Sequence, residues 1–430
     1  MDHDIDMLFL GGLFPKKSEP WILENTKGVA QHAANVLQWN LVDGFRAHLG
    51  KSVRVYSALF IGSFPKRFRR PWVRSRRFGP EFGDILVGFL NLPVIKHVSQ
   101  ARRLRRPIKQ WVVARDNPSK IAVAYSFTYS MIASLKFVKK CNESITTCLV
   151  VPDLPEYMNV SGATVPVQPT VKSIAAEKIY RYLKRRLYAY LRYVDSFVLL
   201  TEQMTDHIGS SKPIVVCEGI SAHHLHTSGD TGVDTVGDQL PCTIVYAGSL
   251  HVSYGVMRLV EAFGQLPDPS ARLVLCGSGD AELLIRDSAV IDPRIELRGQ
   301  VSRDEVLDLE SLATVLVNPR TNVGEYTKYS FPSKLIEYLS SGTPVVAHEL
   351  SGVPAEYSQY VHYAEDESVE SLARKLAEVC SMTPEERRRE GESASRWVHE
   401  EKNPYAQTGR ILHMLESVSK GQSAHAELPL

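Results

Sequence analysis

Short β-branched segments alternate with helical segments along most of the 430-residue chain, and this alternation limits the folds it can adopt. In the second half, strands are predicted at residues 243–246, 272–275, 295–297 and 315–317. Each of these strands runs into a glycine or a polar turn. Apolar strands joined by helices form a parallel sheet that helices cover on both faces. The sequence therefore predicts an α/β fold whose ligands bind at the turns after the strands.

The first half repeats the same alternation. Strands are predicted at residues 7–10, 53–61, 85–90, 121–125, 146–151 and 196–200, with helices near 108–115 and 171–193. Gly11 and Gly12 follow the first strand, and two glycines let the backbone turn tightly and approach a ligand. Asp153 follows the strand at 146–151, next to prolines, so a turn role and a functional role both stay open for it.

Charge divides the chain into two parts. Residues 1–220 contain 32 Lys and Arg against 17 Asp and Glu, whereas the remainder contains 18 against 31. Segments of opposite charge suggest two domains with different partners. Residues 221–240 are rich in Ser, Gly, Asp and Thr and are the predicted linker. The predicted domains are therefore 1–220 and 241–402, with a C-terminal helix and tail at 403–430.

The segments that direct a protein to a membrane or out of the cell are not evident. No apolar run approaches the roughly 20 residues that span a bilayer, and the N-terminus lacks the basic and apolar regions of a signal peptide. The six cysteines are scattered, without a CxxC pair or the spacing of metal ligands. We therefore expect a cytoplasmic protein with reduced, mostly buried thiols.

Two basic segments stand out in the first half. Residues 66–77 read KRFRRPWVRSRR, with Phe68 and Trp72 among the arginines, and residues 102–106 add four more charges. Residues 178–194 form a helix with an aromatic-rich face and several arginines. Basic surfaces with exposed aromatic residues suit an anionic membrane or a lipid phosphate. On charge alone nucleic acid also fits, and the charges can equally be a solvated face over buried aromatic residues.

Residues 329–346, YSFPSKLIEYLSSGTPVV, carry the strongest local signal. Ser330 is a candidate N-cap, the helix runs to Gly342, and a strand follows at 344–347. A helix start carries unpaired N–H groups and a partial positive charge, so with Ser333 and Lys334 it suits a diphosphate. One turn further on, Glu337 can accept hydrogen bonds from a ribose diol. The alternative is an ordinary capped helix with Glu337 in solvent.

Four turns after the predicted strands should meet this helix start at one edge of the sheet. They are AGSL at 247–250, GSGD at 277–280, GQV at 299–301 and NPR at 318–320. Each turn is a weak signal by itself, but together they converge on one crevice. That crevice offers backbone to a base, a carboxylate to a ribose and positive groups to phosphates. The pattern therefore predicts a nucleotide-diphosphate pocket.

These residues carry a family resemblance. The second half resembles the sugar-donor domain of retaining GT-B glycosyltransferases of family 4, especially those that build bacterial cell-surface polysaccharides. The matching stretches are YAGSL, LVLCGSGD, ELRGQVSRDEV, VLVNPR, FPSKLIEYLSSGTPVVA and GVPAEY. The first half resembles the acceptor domain through its GG loop, VVPDLPEYM and VDSFVLLTEQM. The resemblance implies two Rossmann-like doubly wound domains facing a central cleft, with the C-terminal helix crossing back to the first domain.

The resemblance also implies roles for single residues. Glu337 matches the second glutamate of the E-x7-E motif, expected to bind the ribose of the sugar donor, and Tyr329 replaces the first. Ser249 and Tyr254 replace the usual Arg and Lys, so Arg320 and Lys334 become the candidates to neutralise phosphate. With Asp153, which stands where the family has a histidine, they are the predicted catalytic residues. The predicted binding residues are Gly11, Gly12, Gly248, Ser249, Gly277, Gly299, Gln300, Val301, Tyr329, Ser330, Phe331, Pro332, Ser333, Lys334 and Glu337.

The implied activity is transfer of a sugar from a UDP- or GDP-type donor to a lipid-linked glycan, with retention of configuration. No cofactor and no metal are expected, and the sequence has no DxD signature. The expected partners are the nucleotide-sugar, the glycan acceptor, the inner face of the plasma membrane and a second glycosyltransferase chain, but not nucleic acid. Two alternatives remain: a sugar-nucleotide epimerase on the same frame, and a non-catalytic partner subunit, which the loss of the first motif glutamate favours.

Overall fold

The computed structural model describes residues 5–28, 31–93, 95–114, 119–157, 181, 183–209, 211–221 and 241–421. The chain divides into two compact units, which we call the N-terminal unit (Met1–Ile220 with Pro404–Leu430) and the C-terminal unit (Ser221–Asn403). The predicted linker lies outside the described residues apart from Ser221. Residues 171–180 and 182 of the helix predicted at 171–193 also lie outside them.

The N-terminal unit is built on an eight-stranded sheet with the order β10-β9-β8-β7-β1-β2-β5-β4. All neighbours are parallel except β4 and β5. A separate antiparallel pair consists of β3 and β6. The strands are β1 (Ile5–Gly11), β2 (Val53–Ser57), β3 (Trp72–Val73), β4 (Arg76–Arg77), β5 (Ile85–Leu86), β6 (Phe89–Leu90), β7 (Ser119–Tyr125), β8 (Thr146–Val151), β9 (Ser196–Leu199) and β10 (Ile214–Val216).

Helices pack on this sheet through buried apolar side chains. They are α1 (Glu19–Asn25), α2 (His32–Leu49), α3 (Lys96–Val113), α4 (Tyr129–Cys141), α5 (Thr205–Ile208) and the C-terminal α12 (Pro404–Ser419). Helix α12 packs on α2, and Gly44 allows the contact because a Cβ there would lie 2.3 Å from the Pro404 carbonyl oxygen. Phe45 and Ile411 are fully buried in the same core.

The C-terminal unit has a fully parallel six-stranded sheet with the order β13-β12-β11-β14-β15-β16. Its strands are β11 (Thr243–Ala247), β12 (Arg272–Cys276), β13 (Ile295–Gly299), β14 (Val315–Asn318), β15 (Val345–Ala347) and β16 (Val361–Tyr363). Counted from the start of the unit, the order is 3-2-1-4-5-6, the doubly wound arrangement of dinucleotide-binding folds. The order reverses between β11 and β14.

Four helices connect the strands from β11 to β15, and two more follow β16. They are α6 (Val256–Gly264), α7 (Glu282–Ile291), α8 (Arg303–Leu312), α9 (Ser333–Ser340), α10 (Val369–Ser381) and α11 (Pro384–Glu401). Helix α8 begins with a side-chain cap, since Ser302 Oγ accepts a hydrogen bond from the Glu305 N–H at 3.2 Å. Leu273, Val317 and Leu376 are among the fully buried side chains of this core.

Several elements of the N-terminal unit differ from their predictions. The strand predicted at 53–61 is shorter in the structure, where β2 ends at Ser57. The strand predicted at 85–90 is divided into β5 and β6, because Gly88 donates its N–H to Ser75 Oγ instead of continuing a ladder. Helix α3 begins at Lys96, twelve residues before the start of the helix predicted near 108–115. It continues through Pro107, which was expected to precede the helix. A proline removes only one backbone donor, so the burial of Leu104 and Ile108 on either side keeps the helix continuous.

The expectation of reduced thiols throughout is wrong for one pair of cysteines. Cys242 and Cys380 form a disulfide across 138 residues, with their Cα atoms 5.8 Å apart. It joins the residue before β11 to the last turn of α10, and both cysteines pack against the same apolar core. The sequence gives no spacing signal for this pair because the two halves of the bridge meet only through the tertiary fold.

We expect that opening this disulfide, by reduction or by Cys242→Ser with Cys380→Ser, destabilises the C-terminal unit by about 2–4 kcal/mol, because the unfolded chain regains the entropy of a long closed loop. Urea unfolding with and without dithiothreitol measures the effect. Exposed Cys141 supplies the control variant, Cys141→Ser. Alkylation of the unfolded, unreduced protein should modify four cysteines. Modification of Cys242 and Cys380 as well would contradict the pairing.

Candidate functional site

The carboxyl ends of β11 and β14 mark the position where the strand order of the C-terminal unit reverses. After β11 the chain continues toward one edge of the sheet, and after β14 it continues toward the other edge. The connections therefore diverge and leave a crevice beyond these two strand ends, where open α/β sheets bind their ligands. Ala247 ends β11 and Asn318 ends β14, so both of the turns that follow them face this position.

Three of the predicted glycine turns lie side by side at this edge of the sheet. The Gly248 N–H donates to the Cys276 carbonyl at 2.9 Å, and the Gly277 N–H donates to the Gly299 carbonyl at 2.7 Å. Gly277 has a φ of +136°, and a Cβ on it would lie 1.7 Å from the Gly248 oxygen. Only glycine allows the turns to pack this closely. The row of turns presents backbone rather than side chains to a ligand.

The turn after β13 carries Gln300, which the resemblance assigns to the base. Its Nε2 donates to Ser278 Oγ at 3.0 Å, so the turns after β12 and β13 are also joined by side chains. Gln300 is exposed and Val301 is half-buried, and Ser249 is exposed at the turn after β11. A flat group such as a nucleobase can therefore reach both the backbone and the amide at this position.

Arg320 lies beyond the end of β14 between two aromatic rings. Its guanidinium carbon is 5.3 Å from the Tyr254 ring centre and 5.4 Å from that of Tyr326. One Nη donates to Ser330 Oγ at 2.8 Å, while the buried Nε–H has no hydrogen-bond partner among the residues that the structure describes. The rings fix the orientation of the cation by cation–π attraction. A donor that is buried and unpaired costs free energy until an acceptor binds it.

The expectation that Ser330 caps the helix after it is wrong. Helix α9 begins at Ser333, Pro332 occupies the N-cap position, and no side chain caps the helix. Ser330 does not cap α9 because its hydroxyl accepts the hydrogen bond from Arg320. Phe331 is buried with its ring 5.4 Å from that of Tyr357, whereas Ser333 is exposed. The start of α9 thus keeps its backbone N–H groups uncapped by side chains and has a fixed arginine beside Ser330.

Tyr338 fastens α9 to the end of β11. Its hydroxyl accepts a hydrogen bond from the Ala247 N–H at 2.8 Å and donates one to the Ala247 carbonyl at 3.1 Å. The side chain is fully buried, and burial raises the pKa of its phenol well above the usual range. The helix start and the first glycine turn are therefore held in one fixed arrangement. Nothing in the sequence singled out Tyr338 for this role.

Glu337 and Lys334 form an ion pair on α9 instead of facing solvent. Lys334 Nζ lies 2.9 Å from Glu337 Oε1, and Arg303 of α8 approaches the same oxygen at 3.9 Å. Lys334 also contacts Glu310 of α8, a buried residue that the sequence did not single out. Glu337 keeps 15% of its side chain exposed, so it can still accept a hydrogen bond from a ligand. Through Arg303, the carboxylate approaches the start of α8, which follows the turn at 299–301.

Tyr329, which replaces the first motif glutamate, is 8% exposed. Its neighbour Ser330 is covered by the SGVP loop, because a Cβ on Gly352 would lie 2.6 Å from the Ser330 oxygen and 2.9 Å from that of Thr327. The loop therefore packs against the segment before α9, and only glycine at position 352 allows this contact. Residue 329 in that segment offers a phenol in place of a carboxylate.

The N-terminal unit repeats the reversal of strand order between β1 and β7. Gly12 donates its N–H to Gln38 Oε1 at 2.8 Å, and a Cβ on Gly12 would lie 2.0 Å from the Phe60 ring. After β7, Ser126 has a φ of +84°, a strained value for a residue other than glycine. Such strain is concentrated at functional sites, and nothing in the sequence marks it.

Asp153 follows β8 on the same unit. Desolvation by the surrounding chain raises the pKa of its carboxyl, and its charge in turn helps to raise the pKa of the buried Tyr125 phenol. The Tyr125 ring lies 6.3 Å from that of Phe60, beside the glycine turn after β1. The structure thus places Gly11, Gly12 and Asp153 near the strand ends of the N-terminal unit.

Comparisons with known proteins bear on both units. Residues 241–382 match the family model described as glycosyl transferases group 1. None of the curated proteins matches the chain. Among solved structures, sucrose-phosphate synthase from Thermosynechococcus elongatus has a TM-score of 0.61 at 13% identity, with 97% of this chain and 100% of that one covered.

Two further solved structures have the same fold. Trehalose 6-phosphate synthase from Burkholderia multivorans has a TM-score of 0.61 at 12% identity, with both chains fully covered. HepE from Anabaena, solved in complex with UDP, has a TM-score of 0.60 at 12% identity, with 96% of this chain and 100% of that one covered. The chain has the GT-B fold of two Rossmann-like domains. With the match of residues 241–382, the fold supports a glycosyltransferase of the GT-B type.

We expect that Tyr338→Phe lowers the free energy of unfolding by about 1–3 kcal/mol, because it leaves the buried N–H and carbonyl of Ala247 without their side-chain partner. Chemical denaturation of the full chain measures this change. Tyr405 is 59% exposed, and Tyr405→Phe provides the matched control with an unchanged midpoint. Equal stabilities of the two variants would show that the hydroxyl does not fasten α9 to β11.

Proposed function

We propose that this chain transfers a sugar, with retention of configuration, from a nucleoside-diphosphate sugar to a lipid-linked glycan of the cell surface. The observation that carries the proposal is the arrangement at the switch point of the C-terminal unit. There, a base can bind at 299–301, a ribose at Glu337, and a diphosphate between Arg320 and the start of α9. The three positions together supply a partner for each part of such a molecule.

The chemistry of the transfer explains the need for Arg320. As the bond between sugar and diphosphate breaks, negative charge develops on the leaving phosphate, and fixed positive groups stabilise that charge. Arg320 is oriented by two aromatic rings and has a buried Nε–H ready for an acceptor. In this proposal the leaving phosphate takes the proton of the acceptor hydroxyl, so the reaction uses neither a protein nucleophile nor a metal.

The N-terminal unit is proposed to bind the acceptor at its own strand-order reversal. Gly11 and Gly12 bring the backbone close to a ligand, and the exposed carboxylate of Asp153 after β8 can accept hydrogen bonds from sugar hydroxyls. HepE was solved with UDP, which favours UDP as the first nucleotide to test here.

A second candidate is a nucleotide-binding partner subunit without turnover of its own. Tyr329 favours it, because a buried phenol replaces the carboxylate that the motif uses for the transferred sugar. Such a subunit binds nucleotide alone but gains activity only when a second glycosyltransferase chain is added. Transfer by the isolated chain excludes this candidate.

A thermal-shift panel of UDP-, GDP- and dTDP-sugars tests the proposal, since a ligand that binds only the folded state stabilises it. We expect Arg320→Ala to weaken binding of the nucleotide that scores in the panel by about 1.5–3 kcal/mol, because one charged donor is lost. Exposed Arg272 lies at the opposite end of the same sheet, so Arg272→Ala serves as the control. Equal affinities of both variants would place the diphosphate elsewhere.

The proposed location is the cytoplasmic face of the plasma membrane, reached through the basic surface of the N-terminal unit. Trp72 and Leu90 are paired across β3 and β6 and are 55% and 47% exposed, with Arg69, Arg74 and Arg77 exposed nearby in the chain. Phe68, expected to be exposed with Trp72, is instead fully buried against Trp21.

Among the described residues, no helix is long and apolar enough to cross a membrane.

We expect Trp72→Ser with Leu90→Ser to reduce sedimentation with phosphatidylglycerol-containing vesicles roughly tenfold, because two apolar side chains no longer enter the lipid interface. Replacing Arg69, Arg74 and Arg77 by Ser should abolish the preference for phosphatidylglycerol over phosphatidylcholine alone. Val290 and Ile291 are also exposed, and their serine variants are the control. Unchanged sedimentation of the first two variants contradicts the membrane surface.

A further inference from the structure

Glu310 of α8 is a buried acid beside the proposed ribose position. Its side chain is fully buried, and its Oε1 accepts a hydrogen bond from Lys334 Nζ at 3.3 Å. Its Oε2 is also buried and has no hydrogen-bond partner within the described part of the chain. The main chain is held separately, because Thr343 Oγ1 donates to the Glu310 carbonyl at 2.7 Å. A carboxyl in this setting is not explained by structure alone, since an apolar side chain fills such a space at lower cost.

A single ammonium serves two carboxylates in this cluster. Lys334 lies 3.3 Å from Glu310 and 2.9 Å from Glu337, and its Nζ is 5.9 Å from the ring centre of Tyr338. When both acids are ionised, the three side chains carry a net charge of −1, and when Glu310 is protonated they are neutral. Arg303 lies 3.9 Å from Glu337 at the more exposed side of the cluster. The position of Lys334 therefore depends on which acid holds a charge.

The groups that face Glu310 favour a proton on it near neutral pH. Burial is the largest cause that raises the pKa of Glu310 to about 7, and the negative charge of Glu337 raises it further. Lys334 and Arg303 act in the opposite direction. The remaining titratable neighbours are the phenol of Tyr338 and the thiol of Cys276, whose own pKa values are both raised, so neither carries charge in this range.

We propose that Glu310 is a positioning residue of the nucleotide site, which holds Lys334 so that Lys334 orients Glu337 toward the ribose, and that binding of the anionic nucleotide puts a proton on Glu310. The inference rests on the proposed function, because it needs a nucleotide at this site. An ionised Glu310 adds a negative charge near the diphosphate, so the charge weakens binding and its removal strengthens binding. Lys334 then acts through Glu337 rather than as a phosphate ligand.

The test is the pH dependence of UDP affinity in the full-length protein. We compare the rise of the dissociation constant between pH 6 and pH 8.5 in the parent and in Glu310→Gln. The rise should be roughly three- to tenfold larger in the parent, because Glu310 gains one negative charge whose repulsion of the nucleotide is partly screened. The glutamine keeps an oxygen for Lys334 but cannot ionise. Asp308 is exposed on the same helix, so Asp308→Asn is the control and should follow the parent. The terminal phosphate of UDP also titrates, and comparison between variants cancels this effect.

A second measurement is independent of nucleotide. Because the folded-state pKa of Glu310 lies above that of an unfolded glutamate, the parent loses stability as pH rises from about 4.5 to 7. Glu310→Gln should therefore gain stability relative to the parent across this window, whereas Asp308→Asn should not. Glu310→Gln could gain stability while its UDP affinity shows the same pH dependence as that of the parent. That result would overturn the coupling between nucleotide binding and the proton on Glu310, and it would leave the proposed function intact. Failure of the parent to bind UDP, GDP or dTDP at any pH would overturn both the coupling and the proposed function. Absence of the stability gain would overturn the buried proton.

Discussion

The paired hydrogen bonds between the Tyr338 hydroxyl and the backbone of Ala247 hold the candidate site of the C-terminal unit together. They tie the helix that follows one strand end to the end of another strand, at the position where the strand order reverses. The glycine turns, Arg320 and Glu337 are then all placed relative to this one joint. A nucleotide site on a doubly wound sheet needs such a joint because its parts come from separate connections that only the backbone of the sheet brings together.

In the candidate site, the backbone turns and the charged side chains come from different elements. The backbone turns after β11, β12 and β13 form a row closed by glycines, whereas the charged side chains come from α8, α9 and the end of β14. Arg320 is fixed by aromatic rings, and Lys334 is fixed by two carboxylates. The two cations therefore have different roles: one has a buried donor available to a ligand, and the other is committed to orienting an acid.

Local patterns predicted the elements and turns of this fold well. The strands predicted in the C-terminal unit agree with the observed ones to within two residues, because β-branched runs and glycines act within a few positions. Contacts between distant residues were missed. The Ser330 hydroxyl accepts a hydrogen bond from Arg320, ten residues earlier, instead of capping α9. Cys242 forms a disulfide with a cysteine 138 residues away. Glu310 has the sequence context of an ordinary helix residue, and only the fold shows that it is buried. Such outcomes depend on tertiary packing, which outweighs local propensity.

The ring of Tyr254 has a consequence for how relatives of this chain are recognised. It occupies the place where a cation is expected from the resemblance, and it packs against a cation supplied from Arg320, sixty-six positions later in the sequence. The cation therefore comes from a different sequence position than the resemblance implies, although it lies beside the side chain at the implied position. A search that counts basic residues column by column would class this protein as degenerate, whereas a search that compares electrostatic potential at the strand ends would not.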